Sequence, residues 1–217
     1  MRIEGSGVHP RPACDRHVAS PPSSPSIAAG LEPGGRPSRR AYIALGANLG
    51  DPTAQLAEAA RAIARLPGTR LVAASSLYRS APVGYLDQPE FRNAVLAVDT
   101  TLAPRELLDA LLAIEEACGR TRSFRDAPRP LDLDLLMHGE AELAQPGLEL
   151  PHPRMAARAF VLQPLAEIAP DCRIPGLGPL ARLLPAVAMQ AIERDGPLLG
   201  EDEVRGLQAA RGEGPVA

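Results

Sequence analysis

The chain contains no lysine and no tryptophan; all 23 of its basic residues are arginines. Without lysine there can be no Walker-type phosphate loop, no Schiff-base nucleophile and no lysine acid–base group. Any phosphate bound here must be met by arginine, metal or backbone N–H. Aromatic residues make up only 3% of 217 residues, so the few present are candidates for a specific task. Cys14, Cys118 and Cys172 are odd in number, far apart and without metal-ligand spacing. This fits a reducing, cytoplasmic setting rather than a disulfide framework. No apolar run reaches the length of a membrane span. A net charge of −3 gives no bulk electrostatic case for nucleic acid or for an anionic membrane.

What is present divides the chain into three. Residues 1–40 hold seven of the 24 prolines, with Ser, Gly and Arg and little apolar content. Such a segment cannot bury enough surface to offset its ordering entropy. It carries the Arg and Ser of an organellar transit peptide, but a disordered tail is the preferred reading. Residues 41–187 carry the periodic segments of one domain. Residues 188–217, acidic and Gly-bearing, are expected to be a mobile tail.

Within the domain, Ala41–Leu45 reads as a strand running into a Gly- and Asn-bearing turn. Asp51-Pro52 then supplies an N-cap and a first helical residue, and Leu56, Ala59, Ala60 and Ile63 repeat at helical spacing. A second strand spans Leu71–Arg79. In Phe91–Val98, Phe91, Asn93, Val95 and Ala97 share one face, and Arg92, Ala94, Leu96 and Val98 share the other. Pro104 to Cys118 is a second helix with a Leu107–Leu111–Ile114–Cys118 stripe; Glu115 reads as an ordinary boundary residue of that helix. A strand from Pro130 comes next, then a small hairpin around Pro146-Gly147 and short helical turns near 164–170 and 180–187. The order is βαββαβ with a C-terminal addition. It predicts an α+β, ferredoxin-like fold with an antiparallel-rich sheet, both helices on one face and the other face free for a site.

The stretch Pro128-Arg129-Pro130-Leu131-Asp132-Leu133-Asp134-Leu135 carries the strongest chemical signal. Its alternation puts both carboxylates on one face of a strand. Either that face lies in water, or a divalent cation sits between the carboxylates; hard oxygen ligands suit Mg²⁺. Arg120, Arg122, Arg125 and Arg129 lead directly into the pair. Arginine and metal clamps are the usual means of stabilising phosphoryl-transfer charge, although plain Asp–Arg ion pairing would give the same pattern. Phe91 and Asn93 are either a core ring and a strand-end amide, or a stacking surface and an edge reader for a flat heterocycle. His152, fixed between two prolines, could donate to a phosphate.

Several of these segments, taken together and in order, resemble the 6-hydroxymethyl-7,8-dihydropterin pyrophosphokinases of folate biosynthesis. They are Tyr42–Asp51, Ser75–Ser80, Asp87–Ala94, Gly119-Arg120, Pro128–Asp134, Pro151–Met155 and Arg158–Leu162. The resemblance implies transfer of pyrophosphate from ATP to the hydroxymethyl-dihydropterin, with release of AMP. It implies two Mg²⁺ ions on Asp132 and Asp134, and ATP held by Arg120, Arg122, Arg129, His152 and Arg158. Arg120 and Arg129, with the two aspartates, would be the catalytic set. The pterin would lie between Phe91 and Phe160, read by Asn93, with contacts near Ser80, Ala81 and Val83. Ala47 stands where the family usually has Ser, and Asp126 where some members have Trp, in an arginine loop one residue shorter. A monomer is expected. Fusion to a neighbouring folate enzyme is not, since the flanks are too short for a second domain. The rival is a ferredoxin-like module that binds a nucleotide or pterin without chemistry; the intact Asp pair and the loop arginines speak against it.

Overall fold

The structure, a computed structural model, describes residues 36–82, 87–119 and 130–210. Residues 1–35 of the tail expected over 1–40, the arginine loop over 120–129 and residues 83–86 and 211–217 lie outside them. The last two residues of that expected tail, Arg39 and Arg40, instead begin a strand.

Strand β1 (Arg39–Ala47) is central. It pairs antiparallel with β4 (Phe91–Thr100) on one side and β5 (Asp132–His138) on the other. Helix α1 (Pro52–Ala64) comes directly after β1. The Asp51 carboxylate accepts Ala54 N–H at 3.1 Å and Pro52 occupies the first turn, the start that this residue pair favours. Strands β2 (Thr69–Ala74) and β3 (Ser76–Ser80) lie end to end along β4. The single strand expected over Leu71–Arg79 is thus broken at Ser75. There the Ser75 hydroxyl accepts Val95 N–H at 2.9 Å and donates to Ser76 O at 2.8 Å, so a side chain keeps the ladder satisfied where the strand bends. Helix α2 (Pro104–Ala117) connects back towards β5. The β4–β1–β5 order with β2 and β3 on the far side of β4 is the ferredoxin-like arrangement.

One sheet face packs on α1 and α2. Ile43, Leu45, Leu96, Leu133 and Leu135 join Leu56, Ile63, Leu107 and Leu111 in one apolar core. The other face is not free along its whole length, as the βαββαβ pattern alone suggests. Helix α3 (Ala159–Ile168) covers much of it, with Val95, Leu136, Met155, Val161, Leu162 and Leu165 forming a second core. The helical turn expected only around 164–170 is the end of this longer helix, which takes in Pro164. The hairpin around Pro146-Gly147 is present as β6 (Leu143–Gln145) and β7 (Leu148–Leu150). A two-residue pair, β8 (Arg173–Ile174) and β9 (Gly178–Pro179), precedes a 3₁₀ turn and α4 (Leu184–Val187).

The segment after 188, expected as a mobile tail, is built into the fold as far as it is described. Strand β10 (Ile192–Pro197) pairs antiparallel with β3, and α5 (Glu201–Ala209) packs against β2. Only Ile192 in β10 is apolar enough to signal a strand. The element is held instead by main-chain pairing and by charges: Arg79 with Glu193, Arg92 with Asp195 at 2.5 Å, and Arg194 with Glu167 at 3.0 Å. Leu198 and Leu199 are buried in the apolar core that contains α1 and α2. Together with the Arg61–Glu203 contact at 2.5 Å, they fasten the start of α5 to the domain.

Candidate functional site

The second core stops short of one end of the sheet, and a cleft of about 740 Å³ opens there. Its floor is set by register. Gly46 of β1 pairs with Asn93 on β4 and with Asp132 on β5. Two residues earlier, Ala44 pairs with Val95 and Asp134. Asn93, Gly46 and Asp132 therefore form one row across three strands. Adjacent strands lie about 4.8 Å apart, so the amide and the carboxylate stand about 10 Å apart at their backbones. The residue between them has no side chain. A Cβ on Gly46 would stand 3.4 Å from Asn93 Oδ1 and 4.0 Å from Asp132 Cβ.

At the carboxylate end, Asp132 and Asp134 share the cleft face of β5 while Leu133 and Leu135 enter the core behind. The alternation seen in the sequence is realised as expected. It ends at Leu136, an extra residue opposite the Tyr42–Ile43 step of β1. This β-bulge leaves the Leu136 carbonyl outside the β1 ladder, where it accepts His152 N–H at 2.9 Å. That bond brings the Pro151–Pro153 turn alongside Asp134. His152 Nε2 and Arg158 Nη1 lie 3.7 Å and 3.5 Å from Asp134 Oδ2. Burial holds the His152 pKa below its usual 6.5, so the imidazole is neutral at pH 7. Its Nδ1 accepts Arg154 N–H at 3.2 Å, which puts the ring proton on Nε2, towards Asp134.

Among the described residues, no group of three or more His, Cys, Asp or Glu could hold a metal ion. Two neighbouring carboxylates at an open cleft are nonetheless a donor set that fits Mg²⁺. That ion keeps waters and takes one or two carboxylates together with substrate phosphates rather than a full protein cage.

At the other end, Phe91, at the start of β4, and Phe160, in the first turn of α3, both line the cleft. The Arg158 guanidinium lies 5.4 Å from the Phe160 ring centroid, within cation–π range. The Asn93 amide differs from the expected edge reader in one respect. Its Nδ2 donates within the protein, to Ser80 Oγ at 3.0 Å and Tyr78 O at 3.4 Å. Its Oδ1 therefore lies on the Gly46 side, over the floor. Ser80 and Ala81 form the rim beside it.

Of the residues singled out in the sequence, Ser80, Ala81, Phe91, Asn93, Asp132, Asp134, Arg158 and Phe160 line this one cleft, with His152 against Asp134. Val83, Arg120, Arg122 and Arg129 lie outside the described residues. Gly46, Arg154 and Gln190 also line the cleft but were not foreseen. Gly46 could have been found from the register of three recognised strands. Arg154 carried a weak signal in its Pro-His-Pro-Arg turn, and Gln190 carried none.

The fold and the cleft define a ferredoxin-like α+β protein whose open sheet face joins a carboxylate pair to an aromatic–amide recess. The chain belongs to the 7,8-dihydro-6-hydroxymethylpterin-pyrophosphokinase family, whose sequence profile matches residues 42–170. It is 54% identical over 156 residues to the 2-amino-4-hydroxy-6-hydroxymethyldihydropteridine pyrophosphokinase of Pseudomonas aeruginosa, covering 72% of this chain and 96% of the relative. It is 50% identical over 137 residues to the enzyme of the same name from Methylorubrum extorquens, covering 63% and 87%. Among solved structures, wild-type Plasmodium falciparum HPPK-DHPS with STZ-DHP aligns with a TM-score of 0.56 at 13% identity, over 70% of this chain and 43% of that one. The chain thus spans less than half of that structure, and the likeness is one of fold. The family relationship carries the reaction: pyrophosphate passes from ATP to the hydroxymethyldihydropterin, a step of folate biosynthesis. No helix among the described residues is long and apolar enough to cross a membrane.

Proposed function

We propose that the cleft carries out this transfer with the phosphates over β5 and the pterin over β4. In this reading Asp132 and Asp134 hold two Mg²⁺ ions. Arg120, Arg122, Arg129, His152 and Arg158 bind ATP. Ser80, Ala81, Val83, Phe91, Asn93 and Phe160 hold the pterin. The observation that carries it is the row Asn93–Gly46–Asp132. It sets an amide and a carboxylate about two strand spacings apart over a floor without side chains, so a pterin on one and a polyphosphate on the other can meet without obstruction.

The protein's part is positioning and charge. The carboxylates of Asp132 and Asp134 fix the phosphate end against the sheet. Neutral His152, with its proton on Nε2, is set to donate rather than to repel Arg158. Phe91 and Phe160 offer ring faces to a flat ligand, and Asn93 Oδ1 offers an acceptor to its edge. Bound Mg²⁺ would supply the positive charge that two carboxylates and a triphosphate require. No covalent intermediate on the protein is called for. The enzyme acts as a monomer in the cytoplasm; the free thiols Cys118 and Cys172 accord with a reducing compartment.

The test is AMP release from ATP in the presence of Mg²⁺ and 6-hydroxymethyl-7,8-dihydropterin. Asp132→Ala and Asp134→Ala should each lower turnover by about 10²–10³-fold or more with the fold intact. Retained activity in Asp132→Ala rules out its place at the metal. Ligand binding without any AMP from the unaltered chain would favour a binding module instead.

A further inference from the structure

The family profile ends at residue 170, yet one wall of the cleft comes from beyond it. Gln190, Ala191 and Ile192 line the cleft, and Ile192 pairs in β10 with Ser80 at the pterin rim. Gln190 makes the more telling contacts. Its Oε1 accepts Ala159 N–H at 2.9 Å and its Nε2 donates to Ala157 O at 2.8 Å. The two bonds fix the amide orientation, because a flip would set oxygen against oxygen and N–H against N–H. They also fall on the residues immediately before and after Arg158. One side chain thereby clamps the backbone at the join between the 3₁₀ turn Met155–Ala157 and α3. From that join Arg158 extends over Phe160 and towards Asp134.

We infer that Gln190 is a positioning residue for the transfer, acting through Arg158, and that residues 190–192 complete the substrate cleft. The inference rests on the reading of Arg158 as an ATP ligand. Arg158 has long rotamer freedom of its own, so its aim depends on a fixed Cα. The first N–H groups of α3 have no intrahelical partner, and Arg158, the residue before the helix, has no side-chain capping bond. Gln190 supplies one of the missing acceptors from a segment distant in sequence. Loosening it would let the helix start fray and the guanidinium wander.

The experiment uses the full chain and a non-hydrolysable ATP analogue with Mg²⁺, titrated calorimetrically. Gln190→Met keeps the length and removes both bonds. It should weaken analogue binding about five- to tenfold with the melting temperature nearly unchanged, and should add nothing further in an Arg158→Ala background. Equal losses in both backgrounds would make Gln190 merely structural and overturn the inference. So would unaltered binding in Gln190→Met while Arg158→Ala binds weakly, a result that leaves the reading of Arg158 standing. Normal analogue binding by Arg158→Ala itself would overturn that reading and the inference with it.

Discussion

Glu115 reaches from α2 to the backbone of β5, where its Oε1 accepts Leu133 N–H at 2.6 Å. The sequence places it at the edge of the helix's apolar row, as a boundary residue. It is in fact buried, with 2% exposure. The peptide it holds lies between Asp132 and Asp134, so this carboxylate helps to fix where those two side chains start. A charge-assisted bond of this kind is worth about 1.5–3 kcal/mol. Glu115→Ala leaves the Leu133 N–H without its acceptor and should lower stability by about 1–3 kcal/mol in urea unfolding, with a fall in turnover alongside. Glu115→Gln, which keeps an acceptor oxygen, should recover much of both. The aspartates were legible because alternation along one strand is a local signal. Glu115 and Gln190 were not: each acts on backbone groups contributed by another element, and nothing in their own neighbourhood marks that.

Among the elements, the legible ones are those whose side chains divide cleanly between two environments. Strands β1, β4 and β5 and helices α1 and α2 each send one apolar set into the layer between helices and sheet. β10 has no such set. Its residues Ile192–Pro197 are almost all exposed, and its pairing with β3 depends on a partner edge that the sequence does not display. Yet the segment it introduces is integral. Chain termination after Gln190 would strip β3 of its neighbour and remove Leu198 and Leu199 from the apolar core. Two buried leucines account for roughly 3–6 kcal/mol. The shortened chain should show a lower urea midpoint by a corresponding amount, whereas a mobile tail could be removed without a shift.

For the molecule as a whole, two apolar layers enclose the sheet, one continuous and one that ends where the cleft begins. The βαββαβ order was readable from periodicity. The partial cover on the second face was not, because α3 is nearly all apolar and its sequence does not show which layer it will join. Neither layer includes Asp132 or Asp134. Chelation of Mg²⁺ with EDTA should therefore abolish AMP release while circular dichroism and the melting temperature stay as they were, and added Mg²⁺ should restore turnover. Unfolding on chelation would instead make the metal a structural one.

β5 closes the sheet at the end opposite β10, and among the described residues no strand pairs with its outer edge. Unpaired strand edges are where chains stack into aggregates, and here the Leu133 N–H is taken by Glu115 and the Leu136 carbonyl by His152 N–H. The Leu136 bulge breaks the regularity of that edge, and the two carboxylates make a second copy of the strand electrostatically unwelcome. The residues proposed to attract a cation thus also discourage self-association. A variant that neutralises both would put solubility at risk along with activity.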